Sequence, residues 1–491
     1  MEIRIDPDLQ EVEAMIVPLV QDSRLADRRV KLAERAGLDG DVDFEGELKE
    51  VALLYARPGK GPRRVYLLGV GQEPDFASVL LAFRSFAHRY GKKLPTRVGI
   101  FFQYLTGADA DAAGTLTDAA VNGFLLGAYN LGLYKTQSDP PEEAPGSRGA
   151  ALLQLRTDAT ADVVERAQAT ADVQRRILDL VNAPANKVTP QTLVQWAVDA
   201  GAQWGFSVTA YDRAQLQEMG AEALLAVGRG SAHPPQLVVM EYKPEGEALP
   251  KVALVGKGIT FDTGGLSIKP SANMHHMKSD MGGAAAVLGT MELVARLKLP
   301  IHLIGVVPTA ENAVDASSLR PGDVIGSYSG KTIEVIDTDA EGRLILADGL
   351  AYAKKHFDPE ILIDLATLTG SVIGTLGYHA AGLFTHDDAL AQALTAAGEQ
   401  TGERVWRLPL WPVYADEMKS DVADIKNYHG KPYAGAITAA KFLEAFTNEH
   451  PRWAHLDIAG VAFGSSEFSS MQSATAWGVR LLTTYLSGLV S

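Results

Sequence analysis

Short apolar runs alternate with amphipathic stretches along most of this chain. Runs of five to seven aliphatic, β-branched and aromatic residues are typical of buried strands, whereas residues 76–90 carry apolar side chains at helical spacing. The first strands predicted on this basis are 51–55, 64–70, 96–102 and 150–155. A polar, proline-rich stretch at 139–147 predicts a surface loop. The pattern indicates an α/β unit at the start of the chain.

A helical pattern at 159–181 predicts a helix that links two domains. It ends at 182–190, where prolines stop the helix and Thr189-Pro190 favours the start of another. We therefore expect an N-terminal domain at 1–158, the linking helix at 159–181 and a second domain at 182–491.

The second part alternates strands with helices, which favours a mainly parallel sheet covered on both faces. Several of its strands are unbroken apolar runs, as expected for strands buried on both sides. The predicted strands are 237–242, 252–255, 301–307, 332–336 and 360–365. The predicted fold class is α/β, with a smaller N-terminal α/β domain and a C-terminal catalytic α/β domain around a mainly parallel central sheet.

Composition excludes several classes of protein. The chain has 491 residues, 46% of them hydrophobic, and a formal net charge of -15, which argues against broad binding to nucleic acid or anionic membranes. Without cysteine, any metal must be held by oxygen or nitrogen ligands. The first residues lack a signal-like pattern and no run of about 18 apolar residues occurs, so we expect a cytoplasmic protein without membrane partners.

The chemistry is concentrated in residues 337–344, Asp-Thr-Asp-Ala-Glu-Gly-Arg-Leu. This octet lies between a strand-like and a helix-like run, and ligands of open α/β sheets bind at such turns. Asp339 and Glu341 can aim the same way, while Gly342 lets the backbone pass close to what they hold.

Other polar groups follow the predicted strands, namely Lys257, Asp262 and Asp280. If the fold brings these acids to the octet, their mutual repulsion requires a cation, and their oxygens suffice for two divalent ions that assist hydrolysis. Taken alone, each acid is more typical of a cap or a surface charge. A Walker phosphate loop is excluded because Gly258, not Ser or Thr, follows Lys257.

Three stretches, 255–265, 277–284 and 337–344, resemble the motifs of the leucyl aminopeptidase family, the cytosol aminopeptidases with two metal ions. The resemblance also takes in 182–186, 364–370, 419–427 and 453–460. It covers the chain from Asn182 onward, whereas the first domain is similar only in layout and length.

The resemblance implies ligands for two divalent metal ions. Lys257, Asp262, Asp280 and Glu341 would hold the tighter ion, and Asp262, Asp339 and Glu341 the more exchangeable one. Zn²⁺ and Mn²⁺ are the expected ions, with Mg²⁺ or Co²⁺ as further candidates at the exchangeable position. A water or hydroxide between the ions would be the nucleophile.

It also implies a catalytic and a substrate-binding set. Arg343 would bind a bicarbonate that acts as general base, and Lys269 would stabilise the negative oxygen of the tetrahedral intermediate. The side chain of the first residue, preferentially leucine or another apolar one, would contact Met277, Thr367, Gly370 and Ala459. Short peptides would be the substrates, and the assembly would be a homohexamer, a dimer of trimers.

Two positions depart from the family pattern. Asp337 stands where Asn is usual, which we expect to affect metal affinity or pH optimum, and His275 stands where Asp is common. A rival hypothesis makes the N-terminal domain a nucleic-acid or nucleotide-binding module with peptidase activity secondary. The net charge of -15 and the incomplete glycine fingerprint at 69–71 speak against it. No Gly-x-Ser-x-Gly or His-Glu-x-x-His motif supports a serine hydrolase or single-zinc peptidase.

Overall fold

The computed structural model describes residues 1–9, 11–37, 42–59, 61–105, 110–136, 150–245 and 249–490. The loop predicted at 139–147 lies outside these ranges. The chain divides into two compact units: unit 1 comprises Met1–Arg175 and Glu467–Ser469, and unit 2 comprises the rest. The helix predicted at 159–181 is present as Ala161–Asn182, and the division between the units falls inside it.

Unit 1 is an α/β sheet structure. Its strands are β1 (Glu2–Ile5), β2 (Ala14–Leu19), β3 (Val51–Tyr55), β4 (Arg64–Gly69), β5 (Arg97–Phe101) and β6 (Leu152–Arg156). Its helices are α1 (Leu25–Arg35), α2 (Phe76–Tyr90) and α3 (Ala110–Gly127), followed by α4 (Ala161–Asn182). In the described part of this unit six strands form one sheet in the order β1-β6-β5-β2-β4-β3, parallel except where β3 meets β4.

The remaining strands and helices begin with residue 190. The strands are β7 (Ser207–Tyr211), β8 (Gln236–Tyr242), β9 (Lys251–Gly256), β10 (Gly258–Asp262), β11 (His302–Asn312), β12 (Val324–Ile325), β13 (Ile333–Glu334), β14 (Ile361–Ala366), β15 (Ala381–Thr385), β16 (Val405–Arg407), β17 (Ile425–Lys426), β18 (Trp453–Asp457), β19 (Phe463–Ser466) and β20 (Ser469–Ala474). The helices are α5 (Pro190–Trp204), α6 (Arg213–Met219), α7 (Glu222–Gly228), α8 (Gly282–Arg296), α9 (Gly342–Phe357), α10 (Gly370–Leu376), α11 (Asp388–Thr401), α12 (Gly435–Glu444) and α13 (Val479–Gly488).

The main sheet of unit 2 runs β16-β15-β18-β14-β9-β11-β8-β7, with β10 paired to β11. Its centre, β18-β14-β9-β11, is parallel, and antiparallel pairs lie toward both edges. The central strands are buried on both faces, which explains their unbroken apolar runs. The predicted α/β class with two domains and a mainly parallel sheet is confirmed. Parallel strands bring their carboxyl ends to one edge of the sheet, and the polar residues predicted for the site follow these ends.

One predicted strand is assigned to the wrong sheet. Residues 332–336 were expected in the main sheet, but only Ile333–Glu334 is a strand, β13, and it pairs with β12 and β17. A central strand of the main sheet is buried on both faces, whereas Thr332 and Ile336 are exposed. This half-buried segment therefore fits a small separate sheet. Within the described ranges, no helix is long and apolar enough to cross a membrane.

Candidate functional site

Five residues predicted from the sequence come together at the carboxyl edge of the main sheet. Lys257 follows β9, Asp262 ends β10, and Asp280 lies just before α8. Asp339 and Glu341 occupy the turn before α9. We call Asp262, Asp280, Asp339 and Glu341 the acidic cluster.

The inner half of the site is Lys257 with Asp280 and Glu341. The Lys257 amine lies 2.9 Å from Asp280 Oδ2 and 2.9 Å from Glu341 Oε1, and it donates to the Thr367 carbonyl at 2.8 Å. The Thr367 hydroxyl donates to Asp280 Oδ1 at 2.7 Å. All three charged side chains are buried. The carboxyl end of β14 thus supports the lysine and one of the acids it faces.

The outer half is Lys269 with Asp262 and Asp339. The Lys269 amine lies 2.8 Å from Asp262 Oδ2 and also pairs with Asp339 Oδ1. Asp262 Oδ1 accepts hydrogen bonds from the Gly264 N–H and the Asn312 amide, both at 2.8 Å. Asp262 is buried, whereas the Asp339 side chain is 34% exposed, so this half opens to solvent.

Gly342 is required by the packing of the lysine. A Cβ atom at this position would lie 2.4 Å from Lys257 Cε and 2.5 Å from Nζ. The close approach expected at Gly342 therefore serves a side chain of the site, and any larger residue would displace the Lys257 amine.

Three acids of the cluster, Asp280, Asp339 and Glu341, favour protonation more than isolated acids do. Burial, then the charges of Asp262 and Glu341, raise the pKa of Asp339 to about 7, although Lys269 opposes the shift. Burial is also the largest cause of the raised pKa of Asp280 and of Glu341. Burial lowers the pKa of Lys257, but the surrounding carboxylates more than offset this and raise it overall. Four acids thus face two ammonium groups, which leaves a deficit of positive charge.

This deficit of positive charge and the carboxylate oxygens of the acidic cluster are suited to divalent cations. Asp280 Oδ2, Asp339 Oδ1 and Glu341 Oε1 are buried and accept no hydrogen bond from the described residues, although each is at ion-pair distance from a lysine. One oxygen from each of Asp262, Asp280 and Glu341 lies within 4.8 Å of the others. Hard oxygen donors at this spacing suit ions such as Mn²⁺, Mg²⁺ and Zn²⁺, and a bound cation would favour the neutral amine of Lys257 as a further donor.

Arg343 is the second residue of α9 and is 5% exposed. One of its terminal nitrogens donates to the Asn427 carbonyl at 2.7 Å, and its Nε has no hydrogen-bond partner among the described residues. Burial lowers the pKa of the guanidinium, while the carboxylates of Glu341, Asp457 and Asp337 oppose this shift. The group therefore retains donor capacity in a buried position.

The four residues predicted to line a side-chain pocket lie on three segments around the cluster. Met277 precedes α8, Thr367 and Gly370 follow β14, and Ala459 follows β18. A Cβ atom added at Gly282 would lie 3.2 Å from Thr367 Cγ2 and 2.9 Å from Ala462 Cβ, so Ala462 also reaches this area. A Cβ added at Gly370 would meet open space. Small and apolar groups thus flank the inner half.

Sequence reasoning missed three supporting residues. Asn312 donates to Asp262 Oδ1 and to the Thr338 carbonyl, and the Thr338 hydroxyl donates to the Gly264 carbonyl. The Asn427 amide donates to the carbonyls of Asp337 and Ala340. Asn312, as a polar residue ending an apolar strand, gave a usable signal. Asn427 ends the family-like stretch 419–427, but that stretch gave no sign of its partners, which lie about ninety positions away.

Comparison with known proteins gives matches over most of the chain. The model of the cytosol aminopeptidase family, catalytic domain, matches residues 176–483, and that of its N-terminal domain matches 38–138. A probable cytosol aminopeptidase of Chlorobium limicola is 41% identical over 489 residues, covering 97% of each chain. One from Chloroherpeton thalassium is 45% identical over 461 residues, covering 90% of each.

Two solved structures share the fold. The bottromycin maturation enzyme BotP in complex with Mn has a TM-score of 0.82 and 32% identity, over 98% of this chain and 100% of that one. A mutant of tomato leucine aminopeptidase has a TM-score of 0.85 and 31% identity, over 99% of this chain and 96% of that one. Sequence and structure matches therefore cover both units.

Proposed function

Because this chain belongs to the cytosol aminopeptidase family, we propose that it removes the N-terminal residue, preferentially leucine or another apolar one, from short peptides. Membership makes it a metal-dependent peptidase; the preference and the residue roles below are our proposal. The observation that carries the proposal is the acidic cluster beside the Lys257 amine. Its three buried members, Asp262, Asp280 and Glu341, each place one oxygen within 4.8 Å of the others.

Two divalent ions fit these ligands. Lys257, Asp262, Asp280 and Glu341 would hold one, and Asp262, Asp339 and Glu341 the other, with Asp262 and Glu341 shared. The Mn in the BotP structure supports Mn²⁺, and Zn²⁺ is the other main candidate, with Mg²⁺ or Co²⁺ at the more exposed position. When bound, such ions supply Lewis acidity and activate water for attack on a carbonyl.

Lys269 would stabilise the negative charge that develops on the substrate carbonyl oxygen. The neighbouring carboxylates keep it cationic, because they raise its pKa even though burial, the largest single influence, lowers it. Its side chain is 20% exposed at the open side of the acidic cluster, so its amine lies between the acids and solvent. A cation already in place there has little reorganisation to make during the reaction.

Arg343 would hold a bicarbonate that takes the proton of the attacking water. Its unpartnered Nε and its buried position favour a small planar anion, because a guanidinium binds a carboxylate-shaped group through two parallel hydrogen bonds. The nearby carboxylate of Glu341 would keep that anion from binding unless cations offset its charge.

Met277, Thr367, Gly370 and Ala459 would contact the first side chain. The open space at Gly370 leaves room for a branched side chain such as that of leucine. The free α-amine would bind at the cations, which restricts cleavage to the first residue.

The assembly and location are proposed from the family. We expect a homohexamer, a dimer of trimers, and a cytosolic location, which the names of the curated relatives support. An enclosed assembly would restrict substrates to short peptides.

Leucine p-nitroanilide hydrolysis tests the proposal. Protein stripped with a chelator should be inactive and should regain activity as Mn²⁺ or Zn²⁺ is added, reaching a maximum at two ions per chain. The matched control is N-acetyl-leucine p-nitroanilide, which lacks the free amine and should not be cleaved. If ions bind but no leucine derivative is cleaved, the proposed substrate is wrong. If no ions bind, the proposed metal site is wrong.

A further inference from the structure

Asp457 is a completely buried acid at the end of β18 that lies outside the acidic cluster. Its Oδ1 accepts hydrogen bonds from the backbone N–H groups of Leu368 and Ala459, each at 3.2 Å. Its Oδ2 accepts a hydrogen bond from the Thr369 hydroxyl at 2.6 Å. One carboxylate thus has three donors in two different loops.

The two loops carry three of the four proposed pocket residues. The loop after β14 holds Thr367 and Gly370 on either side of Leu368 and Thr369, and the loop after β18 holds Ala459. The strands themselves are parallel neighbours, with Ala366 opposite Asp457. Beyond the last paired residues of β14 and β18, the hydrogen bonds of Asp457 continue the connection between the two loops.

Thr369 extends this connection to a helix. Its hydroxyl oxygen accepts from the Val372 N–H at 3.2 Å at the start of α10, while its proton goes to Asp457. The direction of the loop after β14, and with it the position of Gly370, therefore depends on Asp457.

We propose that Asp457 is a positioning residue that sets the separation between the Thr367–Gly370 and Ala459 walls, and through it the selectivity between large and small N-terminal residues. This inference rests on the proposed function. Asp457 touches neither the substrate nor the acidic cluster in the contacts described, so it acts through the loops that it joins.

A second way for Asp457 to act is through charge. Its carboxylate is one of the groups that favour the cationic form of Arg343. A change in that charge would alter kcat/KM for all substrates by the same factor. A shift of one loop relative to the other would instead alter kcat/KM unequally for substrates with large and small first side chains. The ratio of kcat/KM for leucine and alanine p-nitroanilides therefore separates the two.

The test compares Asp457→Ala, Asp457→Asn and Thr369→Val with the metal-loaded wild type. Asp457→Ala removes every acceptor, so the leucine-to-alanine ratio should fall about tenfold, mainly through KM for leucine. Thr369→Val removes one donor and should lower the ratio by about threefold. Asp457→Asn keeps the oxygen that accepts from both N–H groups, so it should restore most of the ratio even if turnover drops.

Glu403→Gln is the matched control. Glu403 is also buried, and its Oε2 accepts from the N–H groups of Gly478 and Leu481 at the start of α13, outside both loops. It should lower the Tm and leave the ratio unchanged.

A folded Asp457→Ala with a ratio within twofold of wild type would overturn the inference. If that variant does not fold, Thr369→Val decides: an unchanged ratio, or equal losses for both substrates, overturns the inference. Failure of the wild type to cleave either substrate with two ions bound would instead overturn the proposed function.

Discussion

The two halves of the site differ in how far they are sealed from water. In the inner half the side chains of Lys257, Asp280 and Glu341 are 3%, 9% and 2% exposed. In the outer half Asp262 is equally buried, at 3% exposed, whereas Lys269 and Asp339 are 20% and 34% exposed. Both halves pair a lysine with two acids, so they differ in environment more than in chemistry.

The difference in exposure indicates which half would hold a cation tightly and which would exchange it. Charges in the inner half are far from water, so leaving one unpaired is costly, and a bound cation there is strongly favoured. In the outer half water can solvate Asp339 when a cation leaves. We therefore expect ions to bind tightly in the inner half and to exchange in the outer half.

Glu341→Gln should have the largest effect, because Glu341 belongs to the inner half and is proposed to be shared by both ions. We expect kcat/KM to fall by more than about 10³-fold, equivalent to roughly 4 kcal/mol of transition-state stabilisation. The variant keeps the volume of the side chain, so the fold should persist, as measured by circular dichroism and thermal unfolding.

Glu403→Gln serves as the control here too, since it neutralises a buried glutamate without touching the cluster. It should retain activity within about threefold. Near-normal turnover of metal-loaded Glu341→Gln would contradict the assignment of that residue.

Asp339→Asn should have an intermediate effect and should act on one ion only. The concentration of Mn²⁺ that gives half-maximal activity should rise roughly 100-fold, while one ion per chain survives dialysis. Metal content and activity are measured on the same samples. Loss of both ions would show that the two halves bind as one unit.

Asp337→Asn is the neighbouring control. Asp337 Oδ1 accepts from the Asp339 N–H at 2.9 Å, and Asn keeps that oxygen. The effect on metal affinity that we expect of the Asp337 charge should be small, with a change in the half-maximal Mn²⁺ concentration of less than about threefold. A larger change would show that the charge of Asp337 acts directly on ion binding.

Asp348→Asn should have the smallest effect, and it tests how burial raises the pKa of an acid outside the acidic cluster. Asp348 is buried in α9 and accepts from the N–H groups of Leu224 and Tyr328 at 2.9 and 2.8 Å. Burial raises its pKa to about 7, although these hydrogen bonds oppose the shift. An Asn nitrogen cannot accept, so the variant should lose about 1 to 3 kcal/mol of stability at pH 5.

The sign of the pH dependence follows from the raised pKa. The folded chain holds the Asp348 proton more tightly than the unfolded one, whose pKa is near 3.8. The resulting stability is complete below that value and is lost as the pH rises through about 7. The difference in Tm between wild type and Asp348→Asn, measured from pH 5 to pH 8, should therefore narrow. A constant or widening difference would contradict this origin of the shift.

Sequence patterns located most strands and helices because burial on both faces leaves an unbroken apolar run. The runs at 252–255 and 360–365 became β9 and β14 within a residue or two at each end. The prediction that 332–336 belongs to the main sheet was wrong because an alternating pattern identifies a strand but not the strands it pairs with. Its short strand pairs with residues 324–325 and 425–426, and no local pattern specifies the latter partner.

The acidic cluster was accessible from the sequence because its residues follow strands or precede helices in recognisable motifs. The hydrogen bonds that hold them in place were not. Asn427 and Asp457 act on segments about ninety positions away, through contacts that exist only once the sheet is assembled. Similarly, the sequence predicted a close approach at Gly342, but only the structure identifies the Lys257 side chain as the group that requires it.

The support that Asn427 gives to the octet has a consequence for biosynthesis. Residues 257–343 leave the ribosome first, but the Asn427 amide that donates to the carbonyls of Asp337 and Ala340 is made later, and β18 follows later still. The growing chain therefore lacks a fully supported site until most of it has been made. We therefore expect peptidase activity to appear only after Asn427 and β18 have been synthesised and folded onto the octet and the main sheet.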